Sequence, residues 1–253
     1  MTLVAFLLVL VSVFLHAGWN FLSKKQIPSL SFYSLTSTTA ALLWLPCFLL
    51  SDLRLGNLPA MFWPILAGSL VSEFIYIYGL ANAYRKDDIC LVYPLTRALP
   101  VLLTAAVTLL AGIGAPPGPV TLAGMVILSS GCLLMPLMRW NQFRPASYRS
   151  GALKFIVIAA AGTTGYTIFD SMAIRLVRAS VEQPGLLSSM AYLFLIEAGL
   201  ALMLLFAVSC SISERQEFRK LFLKTKTPVI SGIFSSTAYI LILIAMTHVT
   251  NVS

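Results

Sequence analysis

The chain has 253 residues, 58% hydrophobic and only 10% charged, with a mean hydropathy of +0.90 and a net charge of +8. A soluble globule carries roughly 25% charged residues, enough to coat its surface; this chain cannot coat its own and must be solvated by lipid. That excludes a soluble enzyme, a nucleic-acid-binding module and a disordered tail, and turns the positive charge into a question of which bilayer face it occupies.

Crossing roughly 30 Å of hydrocarbon takes a helix of about 20 apolar residues. Eight runs fit: Thr2–Phe21, Ser29–Leu50, Ala60–Ala81, Ile89–Ala111, Val120–Leu137, Leu153–Ile174, Leu187–Ser209 and Pro228–His248. They are continuously apolar, so they read as helices and not as the alternating strands of a barrel. The first run has no basic segment before it and its first cations, Lys24 and Lys25, follow it; it reads as a retained helix and not a signal peptide. The connections are short, and none reads as a separate domain. Cys47, Cys90, Cys132 and Cys210 are far apart in sequence and form no Cys-x-x-Cys pair, so neither a disulfide framework nor a metal site is expected.

After odd-numbered runs stand Lys24, Lys25, Arg85, Lys86, Arg139, Arg144, Arg149, Lys154, Arg215, Arg219, Lys220, Lys224 and Lys226. After even-numbered runs stand only Arg54, Arg175 and Arg178. This 13-to-3 bias puts the odd connections in the cytoplasm and the amino terminus outside.

The chain also resembles itself. At an offset of about 164, Gly68 meets Gly232, Ser72 meets Ser236, Ala81 meets Ala245 and Asp87 meets Asn251. Gly18-Trp19-Asn20 of the first run has a weaker counterpart in Gly165-Tyr166-Thr167 of the sixth. A pattern that restarts at the sixth run makes each unit five helices long. Five is odd, so the second copy is inverted, as in alternating-access transporters with midplane sites. The expected domains are residues 1–140 and 151–253, and Val252-Ser253 aligns with the start of the fourth run, so the second copy stops after three helices. The expected fold is an all-α polytopic membrane protein with eight of ten helices, in two inverted repeats.

A charge at the bilayer centre costs at least ~2.5–3.5 kcal/mol, so it faces the bundle or a wet cavity. Glu73, Arg97, Asp170 and Glu197 are such charges, with His16, Trp19, Asn20, Tyr76, Tyr78, Tyr93, Tyr166 and Tyr192 as companions. Arg97 lies in Tyr93-Pro94-Leu95-Thr96-Arg97-Ala98-Leu99-Pro100, where two prolines free backbone carbonyls. A guanidinium that cannot deprotonate demands an anion: Glu73, Asp170 or a carboxylate or phosphate of a solute. Glu73 is the candidate for proton coupling; the alternative is a neutral acid hydrogen-bonded to the next helix. Asp170 shares a face with Tyr166, and local pairing with Arg175 is its alternative. Glu197 reads as structural. His16, Trp19 and Asn20 share a face, either lining a cavity or forming an interfacial belt. Gly124 and Gly131, and Ala161 with Gly165, read as close-packing steps.

His16-Ala17-Gly18-Trp19-Asn20, Tyr93-Pro94-Leu95-Thr96-Arg97 and the Gly124/Gly131 fifth run resemble the EamA-type members of the drug/metabolite transporter superfamily. The resemblance spans essentially the whole chain. It implies two inverted five-helix repeats around a central cavity, and carries cavity contacts to His16, Trp19, Asn20, Tyr93, Arg97, Tyr166 and Asp170. One departure is Ala111-Gly112-Ile113-Gly114-Ala115-Pro116-Pro117, where many relatives have a glutamate. The expected function is secondary transport of a small metabolite, not enzymology, in the bacterial cytoplasmic (inner) membrane. The expected partners are a small-molecule solute, with an anionic group if Arg97 holds it, and the lipid bilayer. No nucleic acid and no cofactor are expected. A non-transporting subunit or sensor is the alternative, and a membrane-embedded enzyme the weaker one: only His16 and His248 are available, with neither Gly-x-Ser-x-Gly nor His-Glu-x-x-His. No ATP-binding motif is present, so a gradient or exchange must supply the energy.

Overall fold

The computed structural model describes residues 3–26, 28–112, 118–135, 151–182 and 185–247. Arg139, Arg144, Arg149, Leu137, His248, Asn251 and Val252-Ser253 lie outside the described residues. The described residues form α-helices, one short 3-10 turn at Leu55–Asn57, and no strand. In chain order the helices are α1 (Leu3–Lys25), α2 (Leu30–Leu50), α3 (Phe62–Lys86), α4 (Ile89–Ala111) and α5 (Pro119–Leu134). They continue with α6 (Leu153–Ala179), α7 (Leu186–Ser209), α8 (Ile212–Lys224) and α9 (Thr227–Thr247).

Each of the eight apolar runs forms a helix among its described residues, and α1, α3 and α6 extend beyond them to last turns that hold Lys24 and Lys25, Arg85 and Lys86, and Arg178. Cations in a last turn complement the helix dipole, so the helix outlasts its apolar stretch. Hydroxyl and carboxylate caps set other ends. Ser29 Oγ accepts from Phe32 N–H at 3.1 Å to start α2, and Asp88 Oδ1 accepts from Cys90 N–H at 3.3 Å to start α4. Gly112 closes α4 with φ +64°, a left-handed cap that favours glycine. The helix that the apolar runs do not reveal is α8. Ser211 Oγ accepts from Glu214 N–H at 3.4 Å at its start, and its polar sequence gives no apolar run to detect.

Among the described residues, six helices are long and apolar enough to cross a bilayer: α1, α2, α3, α4, α6 and α7. The apolar stretches of α5 and α9 are shorter, Pro119–Cys132 and Thr227–Ile242. At 16 residues, α5 rises about 24 Å, less than the hydrocarbon thickness. Large apolar side chains such as Leu3, Phe14, Leu50, Leu110, Val120, Leu202 and Phe206 face outward, which water would penalise and lipid does not. The class these helices define is a multi-pass integral membrane protein.

The helices sort into two compact units, one comprising Ala67–Ser171 and the other the residues up to Leu66 together with those from Met172 onward. α3 and α6 each pass from one unit into the other.

In the unit that holds both chain ends, α1 packs antiparallel on α9. Ser12 Oγ donates to the Ala238 carbonyl at 2.7 Å, Ser231 Oγ to the Trp19 carbonyl at 3.4 Å, and Gln26 Nε2 to Thr227 Oγ1 at 3.4 Å. α2 runs against α7, with Phe48 stacked on Phe194 at 4.7 Å and Glu197 hydrogen-bonded to Ser37. Its buried Ser31, Ser34, Thr36 and Ser37 let backbones approach, as lipid-embedded helices require. α8 is tied to the start of α2: Ser31 N–H donates to Glu214 Oε2 at 2.9 Å, and Ser31 Oγ to the Glu214 carbonyl at 2.6 Å.

In the Ala67–Ser171 unit, α3 and α6 pack antiparallel through glycines. A Cβ on Gly79 would lie 2.5 Å from the Ala159 nitrogen, and one on Gly162 would meet the Tyr76 nitrogen and lie 2.6 Å from the Ser72 carbonyl oxygen. A Cβ on Gly165 would lie 2.5 Å from Ser72 Oγ, and Gly68 faces the Phe169 ring. The close step therefore uses Ala159, Gly162 and Gly165, not the expected Ala161–Gly165 pair, because Ala161 points outward. Gly124 and Gly131 also differ from expectation: a Cβ on either meets nothing within 4 Å among the described residues. α5 instead touches α4 through Ser129 Oγ, 3.5 Å from the Ala98 carbonyl.

Candidate functional site

Within the Ala67–Ser171 unit, tyrosines of α3, α4 and α6 come together at Arg97. On α4, Tyr93 and Arg97 are one turn apart, which puts the Tyr93 ring 5.4 Å from the guanidinium carbon, within cation–π range. The tyrosines around Arg97 are Tyr76 and Tyr84 of α3, Tyr93, and Tyr166 of α6. The Tyr76 and Tyr166 rings meet edge to face at 5.7 Å and 67°, and Glu73 neighbours both. Arg97 Nε is buried with no hydrogen-bond partner among the described residues. The guanidinium is hydrogen-bonded to the Tyr76 side chain, which leaves Nε as the unmet donor, and an unmet donor on a charged group costs about 1–3 kcal/mol or more.

Arg97 forms part of the wall of a cavity of about 560 Å³. The rest is built from Thr96, Pro100, Val101, Thr104, Ala105 and Thr108 of α4, Met125 of α5, and Thr163 and Thr167 of α6. Most of these hydroxyls spend their proton on their own helix. Thr96 donates to the Val92 carbonyl at 2.9 Å, Thr108 to Thr104 at 2.8 Å, Thr163 to Ala159 at 3.0 Å and Thr167 to Thr163 at 2.7 Å. What they retain is lone pairs. The cavity thus offers donors at Arg97 and acceptors along its threonines.

Asp170 is tied across the α3–α6 contact, where buried Ser69 Oγ donates to its Oδ1. His16, Trp19 and Asn20 belong to the other unit and bond to one another along α1. Trp19 Nε1 donates to His16 Nδ1 at 2.8 Å, and Asn20 Nδ2 to the His16 carbonyl at 2.8 Å. Trp19 and Asn20 are buried. The structure therefore brings Tyr93, Arg97, Tyr166 and Glu73 together in one unit, with Asp170 bonded to Ser69 there, and the α1 trio belongs to the other unit.

The threonines are absent from the candidates that buried charge and aromatic companions single out. Their signal is nonetheless in the sequence: Thr96, Pro100, Thr104 and Thr108 recur every four residues along one face of α4.

No protein family, curated protein or solved structure matches this chain.

Proposed function

We propose that the protein is a secondary carrier of the EamA type, moving a small anionic metabolite across the membrane by alternating access. The observation that carries this is Arg97: a permanent cation in a candidate membrane span, its Nε without a hydrogen-bond partner among the described residues, on the wall of a solute-sized cavity. A carboxylate or phosphate of the solute satisfies that guanidinium, and the threonine lone pairs accept from the solute's hydroxyl or amine groups. Tyr93 and Tyr166, with Tyr76, shape the site around the guanidinium, and Glu73 beside them is the group that couples to protons. His16, Trp19 and Asn20 act in the α1 half of the transport path, and Asp170 holds α6 in register.

Eight of ten expected membrane spans, α1–α7 and α9, belonging to two inverted five-helix repeats, fit this mechanism. Inversion exchanges the third span with the eighth and the first with the sixth, so the α3–α6 pair and the α1–α9 pair should be copies. Both are antiparallel and close on a glycine. Gly18 faces Phe234; carried over by the repeat this becomes Gly165 facing Leu70, two residues from the Ser72 it meets. At the other end the match drifts: Ser12 against Ala238 becomes Ala159 against Phe74, five residues from Gly79. Two such halves can rock against each other around a fixed site.

The test is uptake of small anionic solutes by sealed proteoliposomes. A solute should accumulate chemically unchanged, and Arg97→Ala should abolish accumulation while the purified variant keeps its helical signal. Uptake that survives Arg97→Ala removes the arginine from the site; chemical conversion of the solute would make the protein an enzyme.

A further inference from the structure

A second cavity, of about 490 Å³, lies in the unit that holds both chain ends, where α7 gives way to α8. Its walls have two characters. Leu205 and Val208 of α7 with Ile212 and Phe218 of α8 are apolar, whereas Arg215 and Arg219 of α8 are cationic. The two arginines are four residues apart, so they stand one above the other on one helix face. The carboxylates of α8 are engaged elsewhere: Glu214 with Ser31, and Glu217 with Lys220 at 3.6 Å. α8 itself is held firmly, through Glu214 and buried Leu221, so the arginine pair is presented on a fixed frame.

α8 also has the composition of a helix lying in a membrane interface. Ile212, Phe222 and Leu223 are exposed apolar residues interleaved with Arg215, Arg219, Lys220 and Lys224. It connects the ends of two apolar helices, α7 and α9, on the face that the cation count assigns to the cytoplasm.

We propose that this cavity binds one anionic phospholipid of the adjoining leaflet. Arg215 and Arg219 grip the phosphodiester, for which a planar fork of donors is well matched. An acyl chain lies along Leu205, Val208, Ile212 and Phe218. Charge complementarity selects the headgroup, and the apolar wall, continuous with the lipid-facing side of α7, selects a lipid over a free anion.

Native mass spectrometry of the full chain in mild detergent, titrated with phosphatidylglycerol or phosphatidylcholine, tests the assignment. Each cation near an anionic headgroup contributes about fivefold in affinity, so the pair should favour phosphatidylglycerol roughly 30-fold. Arg215→Gln with Arg219→Gln should erase that preference. Lys220→Gln with Lys224→Gln removes the same charge away from the cavity and should change it less than about threefold. Inorganic phosphate at millimolar concentration should leave the lipid bound. Equal retention of the two lipids by the wild type, an equal loss in both double variants, or displacement by phosphate would overturn the proposal.

Discussion

Gly162→Ala is the sharpest perturbation of the α3–α6 contact. The added Cβ would lie 2.6 Å from the Ser72 carbonyl oxygen and 2.8 Å from the Tyr76 Cα, and would also meet the Tyr76 nitrogen. These are backbone atoms, so no rotamer change relieves them. Ordinary contact lies near 3.5–4.0 Å, so the helices must part by about 1 Å. A gap of that size forfeits a quarter to a half of each dispersion contact along the seam, and overpacking of this kind costs about 1–3 kcal/mol. Against that stands about 1 kcal/mol of recovered helix propensity. The balance is a net loss of up to about 2 kcal/mol. Gly124→Ala provides the reference: nothing among the described residues lies within 4 Å of its Cβ, so the propensity gain remains. Unfolding both variants by titrating a mild-detergent sample with a denaturing detergent, followed by circular dichroism, should show Gly162→Ala less stable and Gly124→Ala unchanged or more stable. Equal stability of the two would refute the glycine-seam reading of α3 and α6.

Two further outcomes follow from the same unit. Ser69→Ala removes the Ser69 hydrogen bond to the Asp170 carboxylate and should destabilise the protein by about 1.5–3 kcal/mol in the same titration; a change within error would deny that contact a structural role. Glu73→Gln removes a protonatable group beside Tyr76 and Tyr166 and should flatten the pH profile of uptake between pH 5 and 8, about the physiological range, whereas an unaltered profile moves proton coupling away from Glu73.

The helices and the membrane setting are legible in the amino-acid sequence because both follow from one-dimensional quantities. Continuous apolar stretches announce helices when only helices satisfy their own backbone in lipid, and every such stretch forms one. Their ends are less legible, since Lys24, Lys25, Arg85 and Lys86 continue the helix after the hydrophobicity has stopped. α8 is invisible to the same criterion because its stability comes from docking on α2 through Glu214, not from an apolar face long enough to span a bilayer.

Buried charges are legible as costly residues, but their partners are not. Nothing in the order of residues says that Tyr93 and three tyrosines from other helices surround Arg97, or that Ser69 answers Asp170 from 101 positions away. The glycines make the same point: spacing suggests Gly124 and Gly131, yet the tight approach falls on Gly79 and Gly162. Hydrophobicity is a sum over neighbours along the chain and can be read from the chain. Which helix face meets which depends on the fit of two surfaces to within an ångström, and that is decided only when the helices are packed.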